Sequence, residues 1–70
     1  MSDWPSVKAR VALRALQRIG WKISSQKGSH DKLQHPQRGT CMFGFHDKEE
    51  LGPKILSKIA KYTGLKPEDL

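Results

Sequence analysis

The sequence predicts an α+β domain of order α-β-β-β-α, in which a three-stranded antiparallel meander carries both helices on one face. Three observations predict it. Helical apolar spacing appears near both ends of the chain, and the stretch between alternates apolar with polar residues. Turn residues cut that stretch at Lys27-Gly28 and again from Pro36 to Gly39. Seventy residues make one domain, residues 1–70, with an ordered core expected over residues 6–65. A core this small is marginal alone, so a bound partner raises its apparent stability noticeably.

Each element follows from its residues. Ser6 stands as N-cap after Pro5, and Ala9, Ala12, Leu13, Leu16 and Ile19 then recur with helical spacing, with Val11 and Ala15 off the main stripe. Gly20 comes next as the residue that enters a left-handed conformation cheaply, which places the first helix over Val7 to Ile19. Trp21 to Gln26 alternates as a half-buried strand. Ser29 to His35 is the return strand. Alternation puts Asp31, Leu33 and His35 on its inner face, and His30, Lys32 and Gln34 on its outer face. Thr40 to Phe45 is the third strand, with Cys41, Phe43 and Phe45 on one side. Gly44 marks a bulge or a close backbone approach there. Asp47 to Glu50 reads as a solvated loop. Pro53 is a first helical residue, Ile55, Leu56, Ile59, Ala60 and Tyr62 carry the spacing, and Gly64 closes the second helix at Thr63. Leu65 folds back on its last turn, and the tail from Lys66 is expected to fray. Trp21 is a core candidate, whereas Trp4 is either a staple on the first helix or an exposed contact.

Composition narrows the function. The 13 lysines and arginines outnumber seven acids, for a net charge of +6, which favours a polyanionic partner. Membrane insertion is not expected, because no run approaches the ~18 apolar residues of a span. The opening Met1 to Pro5 lacks the basic start and apolar stretch of a signal peptide. Cys41 is the single cysteine, so no internal disulfide forms, and a cytoplasmic location is expected. Metal ligation by His30, His35, Cys41 and His46 is disfavoured, because alternation sends His30 and His35 to opposite faces of the strand. No cofactor motif is present in the sequence.

From Leu16 onward the chain resembles the HicA, or YcfA-like, toxin family. The matching residues are Gly20-Trp21, Gln26-Lys27-Gly28-Ser29-His30, His35-Pro36, His46, Glu50-Leu51-Gly52-Pro53, and Ile59 to Leu65 with its closing Gly-Leu. The pieces are short, but their order and separation are specific, and together they cover residues 9–65. The resemblance implies a double-stranded-RNA-binding-domain-like fold, a messenger-RNA interferase activity and a HicB-type antitoxin partner. It also implies that the family's catalytic histidine falls on His30. Two departures stand out. Many members carry a second histidine where this chain has Asp31, and many have proline where it has Gly44.

The residue chemistry agrees with that implication. RNA carries its own nucleophile, the 2′-hydroxyl. Its cleavage therefore needs a base, cations for the phosphorane and a proton for the leaving oxygen. His30 fits the base, since an imidazole exchanges protons near neutral pH. Lys27 and Lys32 fit the cations, and the backbone N–H groups of Gly28 and Ser29 fit the oxyanion. Lys22, Lys27, Lys32, Arg38, Lys54 and Lys58 are the candidate nucleic-acid contacts, and His46 is a second candidate for the acid step. His35 shares the parity of Leu33 and reads as structural. The free chain is expected as a monomer or weak dimer. The alternative function is a non-catalytic double-stranded-RNA-binding-like module of the same fold, and a further one a protein adaptor whose charge serves solubility.

Overall fold

The computed structural model describes residues 3–28 and 30–70. Its elements are β1 (Val7–Lys8), α1 (Ala9–Arg18), β2 (Lys22–Lys27), β3 (His30–His35), β4 (Gly39–Phe43), β5 (Glu50–Leu51), α2 (Pro53–Thr63) and a closing 3-10 turn (Pro67–Asp69). The main sheet is the expected antiparallel meander, order β2-β3-β4. The side chains of Leu16, Leu33, Phe43, Leu51 and Leu56 form one core, so both helices cover one face of the sheet and leave the other to solvent.

The second helix spans Pro53–Thr63 as its residues predict. Pro53 occupies the first turn, where a missing N–H costs nothing. Gly64 takes φ +77°, and its N–H donates to the Ala60 carbonyl at 2.9 Å.

The first helix starts two residues later than the apolar spacing predicts. Val7 and Lys8 are extended and pair with Leu51 and Glu50, so Glu50 belongs to a strand rather than to the loop. Ser6 is not the cap. Lys8 is, with no side-chain bond, and the loop replaces the hydroxyl: the Ala9 N–H donates to the Glu49 carbonyl at 2.7 Å and the Arg10 N–H to the Asp47 carbonyl at 3.1 Å. The two-stranded ribbon thus ties the starts of both helices together. Ala15, which lies off the predicted stripe, is fully buried with Ala9, Ala12 and Leu16.

Strand boundaries also shift. Trp21 precedes β2 rather than opening it. It is fully buried, and its indole N–H donates to the Thr63 carbonyl at 3.1 Å, joining the sheet to the end of α2. β4 ends at Phe43, not Phe45, whose ring meets Phe43 edge-on at 5.1 Å. The predicted start of β3 at Ser29 lies outside the described residues, and the strand is seen from His30. Burying a side chain such as Leu16, Leu33 or Leu56 contributes about 1.5–3 kcal/mol.

The tail from Lys66 lies against the fold. Leu65 is buried as expected. The Lys66 N–H donates to the Asp69 carboxylate at 2.9 Å, Arg18 donates to the Asp69 carbonyl, and Leu70 packs on the core. Trp4 likewise lies half-buried against the core. No helix among the described residues is long and apolar enough to cross a membrane.

Candidate active site

The faces of β3 fall as alternation predicts. Asp31 and Leu33 are buried and His35 is half-buried, while His30, Lys32 and Gln34 are exposed. What alternation does not predict is a bulge in β2. Ile23 pairs with Leu33, yet Ser25 pairs with Lys32, so Ser24 is the extra residue, with its hydroxyl donating to the Lys32 carbonyl at 3.1 Å. The bulge changes the parity of the rest of the strand. Gln26 comes to lie opposite Asp31, and Lys27 opposite His30. Without it, Gln26 would face His30 instead.

The open face of the sheet consists of three cross-strand rows. Lys27 and His30 form one row, Ser25, Lys32 and Met42 the next, and Lys22, Gln34 and Thr40 the third. Directly paired side chains stand about 4.5–5.5 Å apart at Cβ, and same-face neighbours along a strand about 6–7 Å apart. His30 therefore has two ammonium groups within side-chain reach, and no carboxylate occupies any of the three rows. Met42 is 59 % exposed between them.

The predicted site residues divide between separate places. Lys22, Lys27 and Lys32 share the open sheet face with His30. Lys54 and Lys58 are exposed on α2 but lie, with Lys61, on the side of that helix opposite buried Leu56, and so away from this face. Arg38 sits beyond the other end of β3, its guanidinium against Gly64, where a Cβ would lie 2.6 Å from Nη2. Gly28 is at the turn beside Lys27 with φ +63°, and the oxyanion role assigned to Ser29 falls outside the described residues.

The other histidines do different work. The His35 Nε2–H donates to the Ile19 carbonyl at 3.1 Å and its Nδ1 accepts from the Gln37 N–H at 3.1 Å, an assignment that fixes one neutral tautomer. Its ring lies 5.2 Å from that of Trp21, so it is the structural histidine its parity predicts. His46 lines a hollow of about 490 Å³ with Asp31, Gln26, Gly28, Phe45 and Asp47. No hydrogen bond or ring contact joins His46 to His30 among the described residues. Cys41 is half-buried, and desolvation pushes its thiol up from the ordinary range. Among the described residues no group of three or more His, Cys, Asp or Glu side chains is placed to hold a metal ion.

Two features of the site differ in how the residues signal them. The Ser24 bulge has no signal, because a polar Ser24-Ser25 pair shows no period of its own. Gly44 does have one, since glycine near a strand end marks a close approach, and here the group that approaches is the His30 ring.

No curated protein and no solved structure gives a match to the chain. A family model described as HicA toxin of bacterial toxin-antitoxin matches residues 9–65, most of the chain and both helices with the sheet between them. The chain therefore belongs to the HicA toxin family, and its role is that of the toxin in a bacterial toxin–antitoxin pair, with an antitoxin as its partner.

Proposed function

We propose that the toxin is a metal-independent endoribonuclease that cleaves messenger RNA with His30 as general base. The observation that carries this reading is an exposed imidazole, paired across the strands with Lys27 and flanked by Lys32, on a sheet face with no carboxylate. Neither ring nitrogen of His30 is engaged in a hydrogen bond among the described residues. In the step, the 2′-hydroxyl proton passes to the imidazole and the 2′-oxygen bonds to phosphorus. The bond from phosphorus to the 5′-oxygen breaks, and that oxygen takes a proton from solvent. The products are a 2′,3′-cyclic phosphate and a 5′-hydroxyl. Lys27 and Lys32 offset the charge that grows on the phosphorane.

Lys22, on the same sheet face, fits a substrate bound largely through its phosphates. The antitoxin, a HicB-type protein, is inferred to cover His30 and the lysines of the sheet face with an acidic surface. The toxin would act in the cytoplasm, where messenger RNA is found. The test is cleavage of a labelled RNA in EDTA by the native chain and by His30→Ala, each checked for folding by circular dichroism. The native chain is expected to cut and the variant to lose most of the rate. Salt-dependent RNA binding without cleavage by either protein would favour the non-catalytic binding module instead.

A further inference from the structure

A catalytic base is ordinarily oriented by a third group bonded to its second nitrogen. His30 has no such bond among the described residues, whereas His35 on the same strand has two. Something else sets the posture of the His30 ring. The register Asp31↔Phe43, continued by one step, places Gly44 opposite His30. A Cβ built at Gly44 would stand 2.9 Å from His30 Cδ2 and 3.2 Å from Nε2, with Cγ at 3.8 Å. The Cδ2–Nε2 edge of the imidazole therefore fills the space that a Cβ at position 44 would take in this chain. Gly44 is not among the glycines of positive φ, so its backbone conformation gives no reason for glycine there, and the space it leaves does.

We propose that Gly44 is a positioning residue: its missing side chain seats the His30 ring against the chain just past β4, and so fixes where the imidazole nitrogens stand relative to Lys27 and Lys32. The catalytic part of this inference rests on the reading of His30 as the base. Its geometric part does not. The seat works by van der Waals contact alone, which restricts the rotamers of an exposed ring while leaving both nitrogens unbonded. An alanine methyl at position 44 would be accommodated by rotation of that exposed ring, at little cost to the fold. Misplacement of a reacting group by about 1 Å is enough to cost a large factor in rate.

The test uses the full chain with isotope-labelled histidine. In the native protein a nuclear Overhauser contact is expected between the Gly44 Hα protons and His30 Hδ2. In Gly44→Ala the His30 Hδ2 shift is expected to move and Tm to change by less than about 3 °C. The kcat for RNA cleavage should fall about tenfold or more, with KM within about twofold. Absence of the contact in the native protein overturns the seat whether or not any variant folds. Unchanged ring shifts together with unchanged kcat in folded Gly44→Ala overturn it as well. A native contact with equal cleavage by the native chain and His30→Ala overturns the catalytic half and points to the choice of base, not to the seat.

Discussion

β3 carries a histidine at each end, and both rings rest over a glycine. The His35 ring occupies the space over Gly20, where a Cβ would meet Nε2 at 2.8 Å, and the His30 ring does the same over Gly44 at 2.9 Å from Cδ2. There the likeness ends. His35 faces inward, is bonded through both nitrogens and packs on Trp21, so it clasps the end of α1 to the sheet. His30 faces outward, bonds to nothing among the described residues and has lysines as its neighbours. One imidazole is tied into the fold and the other stands exposed to solvent. The parity of a single strand separates the two roles.

That division of roles is most exposed to test at the two histidines themselves. His30→Ala is expected to lower the cleavage rate by about 10²–10⁴-fold with Tm nearly unchanged, measured by single-turnover cleavage and thermal unfolding. His35→Ala is expected to do the reverse: cleavage per folded molecule persists, while stability falls by about 1–3 kcal/mol from the lost hydrogen bonds and packing. In a domain of this size each kcal/mol lowers Tm by about 4–8 °C.

The two glycines extend the contrast. Gly20 has φ +108° and a neighbour that is pinned, so Gly20→Ala is expected to cost about 1–3 kcal/mol of stability in urea titrations. Gly44→Ala is expected to spare stability, because its neighbour can turn away.

A smaller effect separates the basic surfaces. Lys27→Ala and Lys32→Ala should each weaken RNA binding and reduce the slope of log affinity against log salt by about one. Lys58→Ala, on the far side of the helical layer, should change that slope less. Equal effects from all three would show that RNA also contacts the helices.

The smallest effect concerns Cys41. Burial raises its thiol above the ordinary range, so the folded chain holds that proton to higher pH than the unfolded chain does. Its contribution to stability is full below the unfolded thiol's pKa and is lost as pH rises through the folded one. Iodoacetamide should accordingly label native Cys41 more slowly than the urea-unfolded chain at the same pH.

Much of this was legible in the residues, for identifiable reasons. Pro53 and Gly64 bound α2 because each acts through its own backbone, and the inner and outer faces of β3 follow from the period of two. The start of α1 was not legible. It depends on a two-residue ladder to Glu50 and Leu51, some forty residues away, and on loop carbonyls that act as the cap. The contacts of the tail, from Arg18 and within the Asp69 turn, were not legible because they are set by the tertiary fold. At the site, His30 and Lys32 were placed by parity alone. Lys27 reaches the same row only through the Ser24 bulge, and Arg38 leaves the group because the second turn carries it to the end of α2.

Whether His30 works on the ribose hydroxyl is decided by the chemistry of the cut ends. RNA incubated with the native toxin in EDTA is predicted to give fragments with 2′,3′-cyclic phosphate and 5′-hydroxyl termini by mass spectrometry, and a DNA of the same sequence is predicted to stay whole. Fragments ending in 5′-phosphate, or cut DNA, would contradict an imidazole that works by deprotonating the ribose hydroxyl.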